Sequence, residues 1–248
     1  MLIKYSALVS DTNGKLNGSI ATHVRCGNVL KNSFVPKNPR SGMQTNNRTS
    51  FQYLTIRWKT LTDAQRTSWK NLAAISTALN RFGDAYHPTG QMLFIGYNQN
   101  LYLVGQPYIY NAPTAESFTE IVAPYMGTVR VNNNLMNLNF PVSPTGSNVS
   151  HILYATDSIS AGINYVLVQY RQIGVIQPGT DSGINIYNDY VAVFPKPTAE
   201  QRVFIYLRPV CIHTGIPGVH SFCNAFVLPV SGSNPIGTAV IGTSFIIS

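Results

Sequence analysis

Apolar and polar positions alternate loosely along the first 35 residues, with apolar runs around residues 2–9, 16–24 and 29–35. Asn13-Gly14, Asn17-Gly18 and Gly27-Asn28 punctuate these runs. Such pairs accept the left-handed backbone of tight turns, so short strands joined by hairpins are predicted. Asn38-Pro39 then ends the extended stretch.

Beyond that point the period changes. Phe51, Leu54 and Trp58 recur at three and four residues over 42–60, behind Ser41-x-x-Gln44. Trp69, Leu72, Ala73, Ser76 and Leu79 repeat the pattern behind Thr62-x-x-Gln65, up to Gly83. In each box the hydroxyl and the amide side chain satisfy free backbone donors reciprocally, which marks a helix start. A helical hairpin connected at Thr60-Leu61 follows, with both tryptophans packed between the helices or against the preceding strands. Residues 89–101 fit a third helix less cleanly, through Met92, Ile95 and Leu101.

From residue 106 to 118 the chain reads as a linker containing Asn-Ala-Pro-Thr-Ala. Short β-type runs follow near 120–123, 128–131, 135–141, 150–156, 170–176, 202–212 and 219–230. Short strands separated by Gly, Pro and Asn turns predict an antiparallel β-sandwich of immunoglobulin or fibronectin type, with a short helix inserted within 181–195. Residues 231–248 read as a tail that adds a strand to a sheet or docks on another subunit. The expected fold class is therefore α+β. A strand-plus-helix module spans 1–105, the linker 106–118, the sandwich 119–230 and the C-terminal tail 231–248.

Charge sharpens this division. Residues 1–83 carry twelve Lys or Arg against two Asp, a net +10, while residues 84–248 carry five basic against seven acidic residues, a net −2, which together give the chain's +8. Charged residues are only 10% of the whole, so the surface is wetted mainly by neutral polar groups, as suits assemblies whose contacts desolvate few charges. The basic part can face another protein, nucleic acid or solvent, and a protein-contact face is the favoured reading. Its candidate contact residues are Arg25, Arg40, Arg48, Arg57, Lys59, Arg66 and Lys70, with Phe34, Tyr53, Trp58 and Trp69 interleaved. Tyr86, Tyr97, Tyr102, Tyr108 and Tyr110 are candidate subunit contacts or, equally, core tyrosines.

Catalytic chemistry is sparse. The chain has no Gly-x-Ser-x-Gly, no phosphate-cradling Gly-x-x-x-x-Gly-Lys and no His-Glu-x-x-His, and Asp157, Asp181 and Asp189 sit where side-chain acceptors cap turns. Cys211, His213, His220 and Cys223 suggest a zinc site across a hairpin. Strand alternation, however, puts His220 and Cys223 on opposite faces unless a bulge intervenes, which leaves cross-strand histidines and buried thiols as the other reading. Three cysteines argue against a disulfide framework. No signal peptide and no apolar run of membrane-spanning length is read, so the expectation is a cytoplasmically made, non-enzymatic chain without cofactor or metal.

One resemblance adds to this. The order Gly18-Ser19, Arg25, Gly27, Asn38-Pro39-Arg40-Ser41, Gln44 and Arg48 leads to Leu61-Thr62-Asp63-Ala64-Gln65-Arg66-Thr67-Ser68-Trp69. With Tyr170-Arg171-Gln172-Ile173-Gly174 and Val203-Phe204-Ile205-Tyr206-Leu207-Arg208-Pro209 further on, it resembles a family of virion-associated phage and prophage proteins of Bacteroidota. The resemblance implies a virion component made in the bacterial cytoplasm, in a capsid-vertex, connector-ring, spike or tail position. Its partners would be other virion proteins and copies of itself, and no catalytic residue is carried over. The alternatives are an adhesin for host-surface glycans and a nucleic-acid-binding protein acting through residues 1–83.

Overall fold

The computed structural model describes residues 2–3, 12–25, 27–33, 38, 40–80, 82–114, 125–130, 135–139, 148–166, 169–179 and 183–228. The chain divides into two compact units, Met1–Gln99 with Ile109–Ala115 and Asn100–Tyr108 with Glu116–Ser248. Helices and mainly antiparallel sheets coexist, an α+β protein.

In the first unit, β1 (Leu2–Ile3), β2 (Gly14–Leu16), β3 (Ser19–Val24) and β4 (Gly27–Asn32) form an antiparallel sheet in the order β1-β4-β3-β2. Asn17, at φ 50°, makes with Gly18 the expected two-residue hairpin between Leu16 and Ser19. Gly27-Asn28 does not turn. Gly27 pairs with Val24 and Asn28 with His23, so both are strand positions within the β3–β4 ladder.

Helix α1 (Gly42–Thr60) and helix α2 (Asp63–Ile75) form the predicted pair of consecutive helices. At α2 the capping box is complete, with the Gln65 N–H donating to the Thr62 hydroxyl at 3.3 Å and the Thr62 N–H to Gln65 Oε1 at 3.0 Å. The box expected at Ser41 is not formed, since the Ser41 side chain caps nothing. Its carbonyl instead receives the Thr45 N–H at 3.0 Å and the Thr45 hydroxyl at 3.2 Å.

The second helix also stops earlier than its periodicity implied. Ser76 is extended and its hydroxyl donates to the Leu72 carbonyl at 2.7 Å. Strands β5 (Ala78–Leu79) and β6 (Ala85–Tyr86) then pair around a turn in which Asn80 Oδ1 accepts the N–H groups of Phe82 and Asp84, at 2.8 and 2.9 Å. Local Ser and Asn side-chain bonds thus outcompete the helix, and Leu79 ends 63% exposed instead of on an apolar helix face.

Helix α3 (Gly90–Leu103) starts from Thr89, whose hydroxyl accepts the Met92 N–H at 3.1 Å. The Phe94 ring centroid lies 5.6 Å from that of Trp58 and 5.5 Å, edge-on, from that of Trp69, so both tryptophans pack on α3. Part of the segment read as linker is anchored in this unit. Asn98 donates to the Ile109 carbonyl at 3.1 Å and accepts its N–H at 2.8 Å, and Trp69 Nε1 donates to the Tyr110 carbonyl at 2.9 Å.

The second unit is one sheet with the path β11-β9-β13-β14-β7-β8-β12. These strands are β7 (Tyr125–Arg130), β8 (Leu135–Asn139), β9 (Val149–Ala155), β11 (Arg171–Ile176), β12 (Ile184–Asn185), β13 (Gln201–Cys211) and β14 (Ser221–Leu228), with β10 (Ile159–Ser160) beside β13. Among the described strands only β14 and β7 pair in parallel. Helix α4 (Tyr187–Val191) lies in the stretch expected to hold an inserted helix.

Alternation puts Leu153, Ala155, Val203, Ile205, Leu207, Cys223, Ala225 and Val227 on one face. There they share a core with Met136 and Leu138 from β8 and with Tyr187, Tyr190 and Phe194. Each large side chain so buried contributes about 1.5–3 kcal/mol. Residues from both ends of the path meet in this core and α4 packs on both β8 and β11, so the sheet curls. The described strands are all joined through β14, which pairs with β13 from Ser221 to Phe226 and with β7 at Val227 and Leu228. Expected strand residues 4–9, 34–35 and 120–123 and the tail 231–248 lie outside the described residues.

Candidate functional site

In the first unit Arg25 of the β3–β4 turn, Arg40 before α1, Arg48, Arg57 and Lys59 of α1 and Lys70 of α2 are exposed, whereas Arg66 of α2 is half-buried. Arg48 Nη1 donates to Asn38 Oδ1 at 2.7 Å, and the same oxygen accepts the Arg40 N–H at 3.3 Å. Arg40 and Arg48 are thereby gathered at the start of α1. Further along, Arg57 Nε donates to the Tyr53 hydroxyl at 3.0 Å with its guanidinium 5.0 Å from the centroid of that ring. That hydrogen bond raises the Arg57 pKa.

Arg66 is built in differently. Its Nη2 donates to the carbonyls of Lys59 and Leu61, at 3.2 and 2.8 Å, which pins the α1–α2 junction, and its Nη1 lies 3.5 Å from Asp63. Lys59 is exposed, and its contribution to the junction is its backbone carbonyl.

Arg25 and Lys70, 45 positions apart, come together in the wall of one cleft of about 460 Å³. Arg25 Nε donates to the His87 carbonyl, which fixes the guanidinium at the rim. The rest of the lining is Trp58, Ala73, Ala74, His87, Pro88 and the first turn of α3, Thr89 to Gln91. Gly90 makes this juxtaposition possible, since a Cβ there would lie 2.9 Å from the Lys70 backbone nitrogen and 3.0 Å from the Trp69 carbonyl carbon.

Large apolar side chains stand among these cations. Met43, Phe51 and Ile56 of α1 are more than half exposed, as are Ile75 and Leu79 beyond it, while α1 buries only Ser50 and Leu54. Tyr102 and Tyr110 are exposed, whereas Tyr97 packs edge-on to Trp69 at 5.9 Å and burial raises its pKa.

On the outer face of the second unit's sheet, Tyr206 has ring neighbours Tyr154, Tyr170, Phe222 and His220, with centroids 5.1, 5.6, 5.0 and 5.1 Å away. Burial pushes both Tyr170 and Tyr206 up to about 12. The Tyr206 hydroxyl bonds His220 Nδ1 at 2.8 Å, whereas His213 Nε2 lies 3.2 Å from Asn148 Oδ1. The two histidines are thus engaged with different partners, and Cys211 and Cys223 are buried thiols outside any disulfide. Among the described residues no group of three or more His, Cys, Asp or Glu is placed to hold a metal ion. Asp157 Oδ1 accepts the N–H of the next residue, Ser158, at 2.7 Å.

Sequence reasoning missed Asn98 and Asn100. Both are buried in α3, where Asn98 holds Ile109 within the first unit and Asn100, which belongs to the second, donates within that unit to the Gly215 carbonyl at 2.8 Å. Their signal was the amide run Asn98-Gln99-Asn100 inside the otherwise apolar stretch Met92–Leu103, where only a satisfied polar group survives burial.

No protein-family model, no curated protein and no solved structure matches the chain. Among the described residues no helix is long and apolar enough to cross a membrane.

Proposed function

We propose that the chain is a non-enzymatic structural component of a bacteriophage virion, at a capsid vertex, connector ring, spike or tail, that assembles with other virion proteins and with itself. The observation that carries the reading is the surface of the first unit. There α1 sets Arg48, Arg57 and Lys59 beside exposed Met43, Phe51 and Ile56 while burying only two of its own residues. A helix that contributes so little to its own core and shows both cations and large apolar groups has the composition of a contact face. The resemblance of the Asn38-Pro39-Arg40-Ser41 and Leu61-to-Trp69 motifs to virion-associated proteins points the same way.

In this reading the curled sheet of the second unit, its two ends facing each other over one core, serves as a sandwich-like body that projects outward or packs against copies of itself. The test is the mass of the purified chain by light scattering across protein concentration and salt. A discrete oligomer that Phe51→Asp or Ile56→Asp dissociates is expected. A monomer at every concentration and salt, or an oligomer indifferent to both substitutions, refutes α1 as the contact face.

A second reading, a glycan-binding adhesin, is favoured by the Tyr206 aromatic cluster, since clustered ring faces suit sugar stacking. It predicts binding of surface polysaccharide that Tyr170→Ala weakens and that salt leaves unchanged. Retention of binding in that variant removes the cluster from consideration.

A further inference from the structure

The cleft between the β3–β4 turn, α2 and the start of α3 has a chemistry that the assembly reading leaves unused. Its volume of about 460 Å³ falls in the range of small-ligand pockets, and its lining is divided. Ala73, Ala74, Pro88 and Trp58 are apolar, whereas Arg25, Lys70, His87 and the first turn of α3 are cationic or rich in donors.

The donors point to a specific ligand class. Arg25 spends its Nε on the His87 carbonyl, leaving its terminal amino groups as donors. Lys70 lines the cleft and is exposed, so its ammonium can turn to a ligand there without a burial cost. His87 Nδ1 lies 2.8 Å from the Ser76 carbonyl, to which it donates, and this orients the ring. At the α3 terminus Met92 and Leu93 are served by the Thr89 hydroxyl and carbonyl, so Gly90 and Gln91 carry the N–H groups of the first turn that have no partner within the helix. Side-chain cations and backbone donors from three elements outnumber the two oxygens of a carboxylate and suit the several oxygens of a phosphate. Among the described residues lining the cleft there is no Asp or Glu to compete for them.

We propose that this cleft is a binding site for a phosphate monoester of mononucleotide size, the phosphate held by Arg25, Lys70 and the start of α3 and the base lying against Trp58 and Pro88. The inference does not rest on the assembly reading. Loss of the site leaves the oligomer mass unchanged, and loss of the oligomer leaves the cleft intact.

Isothermal titration of the full chain decides it, with AMP, inorganic phosphate, adenosine and a 5′-phosphorylated oligonucleotide as titrants. AMP and phosphate are expected to bind saturably and in competition, adenosine far more weakly. Arg25→Ala and Lys70→Ala should each weaken AMP binding roughly tenfold with an unchanged circular dichroism spectrum. An oligonucleotide that binds more tightly than AMP, and loses that advantage when its 5′-phosphate is removed, identifies a strand end as the source. Equal affinities identify the free nucleotide, and both results sustain the site. No saturable binding of AMP or phosphate, adenosine binding as well as AMP, or folded Arg25 and Lys70 variants that bind AMP unchanged would overturn it.

Discussion

Replacing Asn98 with Leu tests the account of how residues beyond α3 are held in the first unit. The Asn98 side chain is fully buried and makes three bonds, donating to the Phe94 and Ile109 carbonyls at 2.9 and 3.1 Å and accepting the Ile109 N–H at 2.8 Å. Leu has nearly the same volume, so packing is conserved and the loss falls on hydrogen bonding. The Phe94 carbonyl keeps its helical partner, but the Ile109 N–H and carbonyl lose theirs. Leaving a buried backbone group unpaired costs about 1–3 kcal/mol. Ile109 is only half buried, so some water reaches it and a total near 2–3 kcal/mol is expected. Both tryptophans of the chain, Trp58 and Trp69, lie in this unit, so urea unfolding followed by their emission reports on it selectively. With slopes of roughly 1–3 kcal/mol per molar urea, the midpoint should fall by about 1–2 M. The freed segment also carries the Tyr110 carbonyl away from Trp69 Nε1, so native emission should shift to the red. A midpoint unchanged within about 0.3 M, against these slopes, would refute the reasoning.

Three further outcomes follow from particular contacts. Gly90→Ala should destabilise the first unit by about 1–3 kcal/mol in the same urea assay, because its Cβ would overlap the Lys70 and Trp69 backbone, whereas Gly96→Ala, with nothing within 4 Å, should be neutral or stabilise by up to about 1 kcal/mol. Arg66→Ala should cost about 1–2 kcal/mol by releasing the Lys59 and Leu61 carbonyls, while Lys59→Ala should leave the urea midpoint unchanged and act on assembly alone. Burial pushes the His151 imidazole from 6.5 down to about 4, so between those values the unfolded chain takes up a proton that the folded core refuses. Stability of the second unit is therefore unpenalised above pH 6.5 and falls as pH drops toward 4, by about 3 kcal/mol in total. His220, lowered chiefly by burial, adds a loss of the same sign, so His151→Leu should shrink the pH slope in urea unfolding followed by circular dichroism, without abolishing it.

Features that depend on a few neighbouring residues were legible in the sequence. Thr62 and Gln65 announced the start of α2 because both partners of the reciprocal bond lie within one turn, and Asn17-Gly18 fixed a hairpin by backbone preference alone. The same reasoning overreached at Ser41, where an identical spacing forms no box, and at Ser76 to Gly83, where Asn80 turned an apolar period into a hairpin. Strand existence in the second unit could be read, but not that β14 would join β7 to β13 in one curled sheet, since pairing across a hundred residues leaves no mark on local pattern. The basic residues were legible as a charge imbalance. Their separate placements were not, because Arg66 folds back on carbonyls while Arg25 and Lys70 meet only through the tertiary approach that Gly90 permits.

The proposed virion role is tested most directly by mass spectrometry of phage particles banded on a density gradient from an induced or infected culture that produces this chain. Peptides from both units, at an abundance comparable with known particle proteins and retained after high-salt washing, are the predicted result. A chain found only in the soluble fraction of the cells, and missing from the banded particles, would contradict that role.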